Sequence, residues 1–315
     1  MHAVLRIWAT LFVTLLALAG QPLLAADKPG FGFLVDSDWL AAEMKNPKLV
    51  ILEVRYHPHR YFTVGHIPGA IQVQRFKDLG DNTGRSIMLF PSKATFQATL
   101  RRWGINNDST VVLYDDSRSP LTARVYYLLS LYGYDMSRVK ILDGGAQEWT
   151  GFNELTQDST PAPKPGKVVL KNADPRLFVE WQQVYEDALS RRDPNVVLVD
   201  ARPHDMYTGK VIRHAVQGGH IPGAINVVSL DATDGQTQKW FDLDRLADFY
   251  KAIPKDKTVY VYCHDGFRMS LGWLQMKALG YQDVRVVNGG WGIWDRAFTL
   301  PVVQGNQPYD EEFAL

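Results

Sequence analysis

The segment Tyr262-Cys263-His264-Asp265-Gly266-Phe267-Arg268 carries the one cysteine of a 315-residue chain. A thiol reacts as its thiolate, which forms where cations and inward-turned amides favour negative charge. The sequence around Cys263 offers both. Residues 259–262 are an apolar run that reads as a strand, a helical pattern resumes by about Met269, and the loop between ends near the guanidinium of Arg268. Gly266 is free to take positive φ, so the amides of residues 264–268 can turn toward the sulfur as an anion-binding nest at a helix N-terminus. The expectation is a nucleophilic Cys263 with a pKa below the ordinary thiol value of about 8.5. A purely structural cysteine would sit among apolar neighbours rather than before His, Asp and Gly.

The elements that hold this loop occur twice. Gly65-His66-Ile67-Pro68-Gly69-Ala70-Ile71 returns unchanged as Gly219-His220-Ile221-Pro222-Gly223-Ala224-Ile225. Each copy follows an apolar run that ends in acid, any residue, Arg: Glu53-Val54-Arg55 and Asp200-Ala201-Arg202. Behind each copy come a second apolar run, a helical stretch closed by Gly133 or Gly280, a third short run, and Gly144-Gly145 to Trp149 or Gly289-Gly290 to Trp294. Short buried strands alternating with helices predict an α/β fold with a parallel sheet in each half. Thr160-Pro161-Ala162-Pro163-Lys164-Pro165-Gly166 breaks both periods and reads as a stiff linker.

Cys263, the Cys-x-x-Gly-x-Arg loop, the Gly-His-Ile-Pro-Gly-Ala turn and Asn288-Gly289-Gly290-Trp291 together resemble the rhodanese family of sulfurtransferases. The duplication is similar to the family's tandem-domain members, over residues 31 to about 300. The resemblance implies two tandem rhodanese-like domains, each a parallel sheet flanked by helices: an inactive one at 27–160, a linker at 161–166 and a catalytic one at 167–315. In the first copy Asp115 stands where Cys263 would be, and Pro120 five residues on where Arg268 would be. The implied chemistry is a double displacement through a Cys263 persulfide. Arg268 would add charge, His264, Asp265, Gly266 and Phe267 would cradle the sulfur, and Arg202 would project toward an anionic donor. Arg55, its counterpart in the inactive copy, would be structural.

The implied partners are a small-molecule sulfur donor, thiosulfate or 3-mercaptopyruvate, and a thiol or cyanide acceptor, with a protein sulfur acceptor as a further option. Asp265 would repel a dianion, and a protonated His264 would offset it. A sulfur-carrier or redox-binding module without small-molecule turnover is the alternative. Phosphatases of related architecture use Cys-x5-Arg, one residue longer than this loop. His66 and His220 occur in both copies and read as turn or packing residues, as does Trp294 through its match to Trp149; Trp291 and Trp294 are candidates to line the cleft.

Lys plus Arg and Asp plus Glu are 34 each, so nothing in the charge balance draws nucleic acid. No HExxH, CxxC or Walker-type loop occurs, and no metal or cofactor is expected. Arg6, the apolar run 7–19 and Leu24-Ala25-Ala26 match the charged, apolar and small-residue regions of a signal peptide at 1–26, so a periplasmic or secreted protein without a stable membrane span is expected.

Overall fold

The computed structural model of the chain describes residues 30–83 and 88–309; the leader-like segment 1–26 lies outside the described residues. Five strands form the first sheet: β1 (Leu34–Val35), β2 (Leu49–Val54), β3 (Ile71–Val73), β4 (Thr110–Asp115) and β5 (Val139–Leu142). Five more form the second: β6 (Phe178–Val179), β7 (Val196–Asp200), β8 (Ile225–Asn226), β9 (Thr258–Tyr262) and β10 (Val284–Val287). Their orders are β1-β5-β4-β2-β3 and β6-β10-β9-β7-β8, with every pairing parallel. The apolar runs 111–114 and 259–262 are completely or almost completely buried. Helices on both faces leave such a strand no solvent side, which is why it does not alternate. Strand order reverses between β2 and β4, and between β7 and β9. The carboxyl ends there open the crevice in which folds of this class place ligands.

The duplicated turns do the same structural work twice. His66 and His220 stack on Tyr61 and Tyr207 at 3.6 and 3.7 Å between ring centres. Each ring Nδ1 meets the carbonyl of the tyrosine it stacks on, at 3.1 and 2.9 Å. Tyr114 and Tyr262 receive the amides of Ile67 and Ile221 on their hydroxyls at 3.0 and 3.1 Å, which pins each turn to the central strand. Trp149 and Trp294 are both buried, each donating its indole N–H to a nearby carbonyl. Packing accounts for all these repeated aromatics.

The two halves share one core. The helices Pro120–Leu131 and Phe267–Ala278, each following its central strand, pack against each other across the domain boundary. Tyr127 and Trp273 meet there edge to face at 5.1 Å. Polar clasps surround the contact: Trp240 N–H donates to Asp143 at 2.8 Å, its indole to Ser119 Oγ at 3.1 Å, and Phe90 N–H to Asn288 at 3.0 Å. After the proline-rich segment the chain stays strapped to the first domain. Gly166, Val168, Lys171 and Asp174 donate their amides to the carbonyls of Arg101, Ile105, Tyr132 and Leu131.

Candidate active site

Cys263 follows directly on β9 and is fully buried. Four residues, Cys263 to Gly266, separate strand from helix, so the chain must reverse tightly; Gly266 does this at φ 101°, where a side chain is strained. Its N–H donates to Cys263 Sγ at 3.2 Å, and the Met269 amide also favours the anionic sulfur. The helix Gly290–Trp294 clamps the loop from behind: Trp291 N–H donates to the Cys263 carbonyl at 2.8 Å and Gly292 N–H to that of His264 at 3.1 Å. A Cβ on Gly290 would fall 2.3 Å from the Cys263 carbonyl oxygen, so the close approach requires glycine.

Of the amides 264–268 expected on the sulfur, only that of Gly266 is at hydrogen-bond distance among the described residues, joined by that of Met269, and the sign of the thiol's pKa is not the expected one. Burial pushes the Cys263 thiol above its ordinary value and Asp265 adds to the rise; the Met269 amide, Arg268 and the Gly266 amide pull it back only in part. His264 also departs from expectation. It is buried with neither ring nitrogen hydrogen-bonded among the described residues, and burial holds its pKa below the usual histidine value, against Asp265 and Asp295. It is neutral at neutral pH and does not offset Asp265.

Arg202 does not project toward a donor. It is buried at 1 % exposure, paired to both carboxylate oxygens of Asp200, donating to the Gly219 carbonyl at 2.6 Å, and lying 4.3 Å over the ring of Trp291. Its Nε and Nη2 hydrogens are engaged in this way, and Arg202 is not among the residues that line the chamber above the loop. Arg55 is held in the same way by Glu53 and the Gly65 carbonyl. Trp291 is likewise enclosed and does not line the cleft.

In the first domain the corresponding nest is already filled. Asp115 accepts the amides of Ser117 and Ser119 on Oδ1, both at 3.0 Å, and those of Leu121 and Thr122 on Oδ2, at 3.1 and 3.3 Å. Counting back from the helix starts, Ser119 matches Gly266, Pro120 matches Phe267 and Leu121 matches Arg268. Pro120 is thus not the counterpart of Arg268, because this loop is one residue longer than the cysteine loop.

A cavity of about 340 Å³ opens between the domains above the Cys263 loop. His264, Asp265, Phe267 and Arg268 form its floor; Cys263 lies beneath them. Arg268 Nε is buried without a hydrogen-bond partner among the described residues. The first domain contributes Tyr56, Arg75, Ser117, Pro120 and Leu121, with Arg75 stacked 4.0 Å over Tyr56. Arg213 and His214 enter from the segment between β7 and β8. None of Tyr56, Arg75, Arg213 and His214 was expected from the sequence. They stand in stretches without periodicity or repeat, where only the fold brings them together. The arrangement is a cation-studded chamber over a caged thiol, suited to nucleophilic attack by sulfur on an anionic reactant.

A parallel two-domain α/β chain with one buried thiol at the end of a central strand defines a class, and comparison with known proteins gives the family. The rhodanese-like domain model matches residues 36–151 and 184–297. The chain belongs to the rhodanese family, with the domain in tandem. It is 33% identical over 286 residues to the putative thiosulfate sulfurtransferase SseA of Mycobacterium bovis, covering 87% of this chain and 92% of that one. It is 30% identical over 284 residues to the sulfur carrier protein TtuD of Thermus thermophilus, covering 87% and 97%. Its fold resembles the crystal structure of SseA from Escherichia coli, described with the 3-mercaptopyruvate sulfotransferases, with TM-score 0.70, 24% identity, and 82% and 98% of the two chains covered.

Proposed function

We infer that this chain is a sulfurtransferase whose nucleophile and sulfur carrier is Cys263. The observation that carries the reading is the sulfur itself, the only thiol of the chain, placed at a strand end with the Gly266 amide on it at 3.2 Å. The thiolate attacks the outer sulfur of a donor; the donor's sulfur–sulfur or carbon–sulfur bond breaks, and the leaving group departs with the electron pair, as sulfite from thiosulfate or, from 3-mercaptopyruvate, as the pyruvate enolate, which takes up the thiol's proton. An acceptor thiolate or cyanide then takes the outer sulfur from the persulfide and returns Cys263 to its thiolate. No net oxidation occurs with thiosulfate and cyanide.

Arg75, Arg213 and Arg268 in the chamber support an anionic donor such as thiosulfate or 3-mercaptopyruvate. The relative named as a sulfur carrier supports a protein thiol among the acceptors. Because Cys263 is fully buried, the loop 264–268 has to yield as the donor arrives. Export rests on the leader-like residues 1–26, and cell fractionation tests it.

Intact-mass spectrometry after exposure to thiosulfate or 3-mercaptopyruvate tests the covalent step. A gain of about 32 Da that is absent from Cys263→Ser is expected. Cys263→Ser should also lose thiocyanate formation entirely. No adduct with either donor, or turnover that survives the substitution, would refute the reading.

A further inference from the structure

Arg124 reaches the cysteine loop from the other domain. It leaves the helix Pro120–Leu131 and is fully buried. Its Nε and Nη2 donate to the Leu79 carbonyl at 3.3 and 3.2 Å, Nη2 also to the Met88 carbonyl at 2.9 Å, and the guanidinium lies 5.0 Å over the ring of Phe90. These contacts fix three sides of the group. The remaining nitrogen, Nη1, has no hydrogen-bond partner among the described residues. It lies against Gly266, where a Cβ would come within 2.9 Å of it. Gly266 is the residue whose amide is on the sulfur.

The charges around Cys263 can be sorted. Its own loop carries His264, Asp265 and Arg268; Arg202 approaches from the end of β7; Arg124 comes from the first domain. Arg202 is neutralised by Asp200, and burial keeps His264 uncharged. Asp265 is the opposing carboxylate. Arg124 and Arg268 remain beside the loop as cations without an ion pair of their own among the described residues; Arg75 and Arg213 face the loop from across the chamber. Burial pulls the pKa of Arg124 down to about 10, which still leaves it charged at neutral pH. A charge in a dry interior acts at longer range than one in water.

We propose that Arg124, from the domain without a cysteine, is a positioning residue of the sulfur site, seating the Gly266 loop and supplying the positive field that favours anionic thiolate and persulfide on Cys263. The proposal rests on the sulfur-transfer reading above and assigns the inactive domain a part in it.

The pH midpoint of Cys263 alkylation by iodoacetamide, followed from pH 6 to 11, reports thiolate formation and needs no sulfur donor. In the full-length chain, Arg124→Gln is expected to slow alkylation at pH 7 about tenfold while reaching the same limiting rate at high pH, as one pKa unit dictates. Arg124→Lys keeps a cation that can hold a carbonyl but cannot also reach Gly266, and should fall between, at about threefold. With thiosulfate and cyanide both variants should lose kcat and keep KM, because Arg124 does not line the chamber. Profiles superimposable on the parent's, a lowered limiting rate, or a loss confined to KM would overturn the proposal. If Arg124→Gln fails to fold, Arg124→Lys decides alone. A parent chain that alkylates normally and transfers no sulfur would refute the sulfurtransferase reading while leaving the Arg124 effect measurable.

Discussion

Cys263 is enclosed by the loop that must also make it reactive, and its ionisation is set by a contest between burial and a small number of donors. Burial wins in the resting thiol, so the reactive fraction should grow as pH rises through neutrality and level off only above the ordinary thiol value. His264, whose pKa is lowered, is already deprotonated over that whole range and contributes no inflexion near its usual value of about 6.5. His264→Gln should therefore leave the shape of the pH–rate profile of alkylation unchanged between pH 7 and 9. An inflexion near 6.5 that disappears in His264→Gln would contradict this. The thiol's place was legible in the sequence because strand, glycine and arginine are local signals; the sign of its pKa was not, because desolvation depends on everything packed above the loop. Arg202 was misread although its partner Asp200 stands two residues away. The matching Glu53-Val54-Arg55 in the copy without a cysteine was the available signal, the same comparison that identified His66 and His220 as structural.

At the scale of elements, the cysteine loop is held between a strand end and two helix starts, and the same arrangement recurs around Asp115, where no cysteine stands. Gly290 and Gly145 hold equivalent places: a Cβ on either would strike the carbonyl oxygen of Cys263 or Asp115, at 2.3 and 2.1 Å. Both have positive φ, so Gly→Ala adds about 1–2 kcal/mol of backbone strain to the clash. Thermal denaturation should register a loss of stability for both substitutions. Turnover should separate them, because Gly290→Ala displaces the loop that carries Cys263, and a shift approaching 1 Å costs about a hundredfold, whereas Gly145→Ala disturbs only the Asp115 loop. Equal activity in the two variants would count against a clamping role for the helix Gly290–Trp294. Repeats, helix ends and strand runs made these elements readable. The one-residue difference between the two loops went unread, since an alignment anchored on the strand ends pairs Pro120 with Arg268, and only the helix starts reveal Leu121 as the true counterpart.

For the whole molecule, the decisive contact is the one between the helices Pro120–Leu131 and Phe267–Ala278. Trp273 is buried there, donates its indole N–H to the Val284 carbonyl at 3.1 Å, and meets Tyr127. Trp273→Ala should cost about 3–5 kcal/mol. Because both domains lean on this contact, the parent chain should unfold in one transition that coincides by tryptophan fluorescence and far-ultraviolet circular dichroism. Two separated transitions would mean that the halves are energetically independent. The duplication was plain in the sequence, but residues that act across the boundary, Arg124 and Arg75 above all, carry no local signature and become visible only when the two sheets are set side by side. The filled nest of the first domain has a use of its own. With four amides closed on Asp115 at 3.0 to 3.3 Å, this polypeptide contains a plaster cast of an occupied anion cradle, against which any snapshot of a loaded Cys263 can be superimposed, donor by donor.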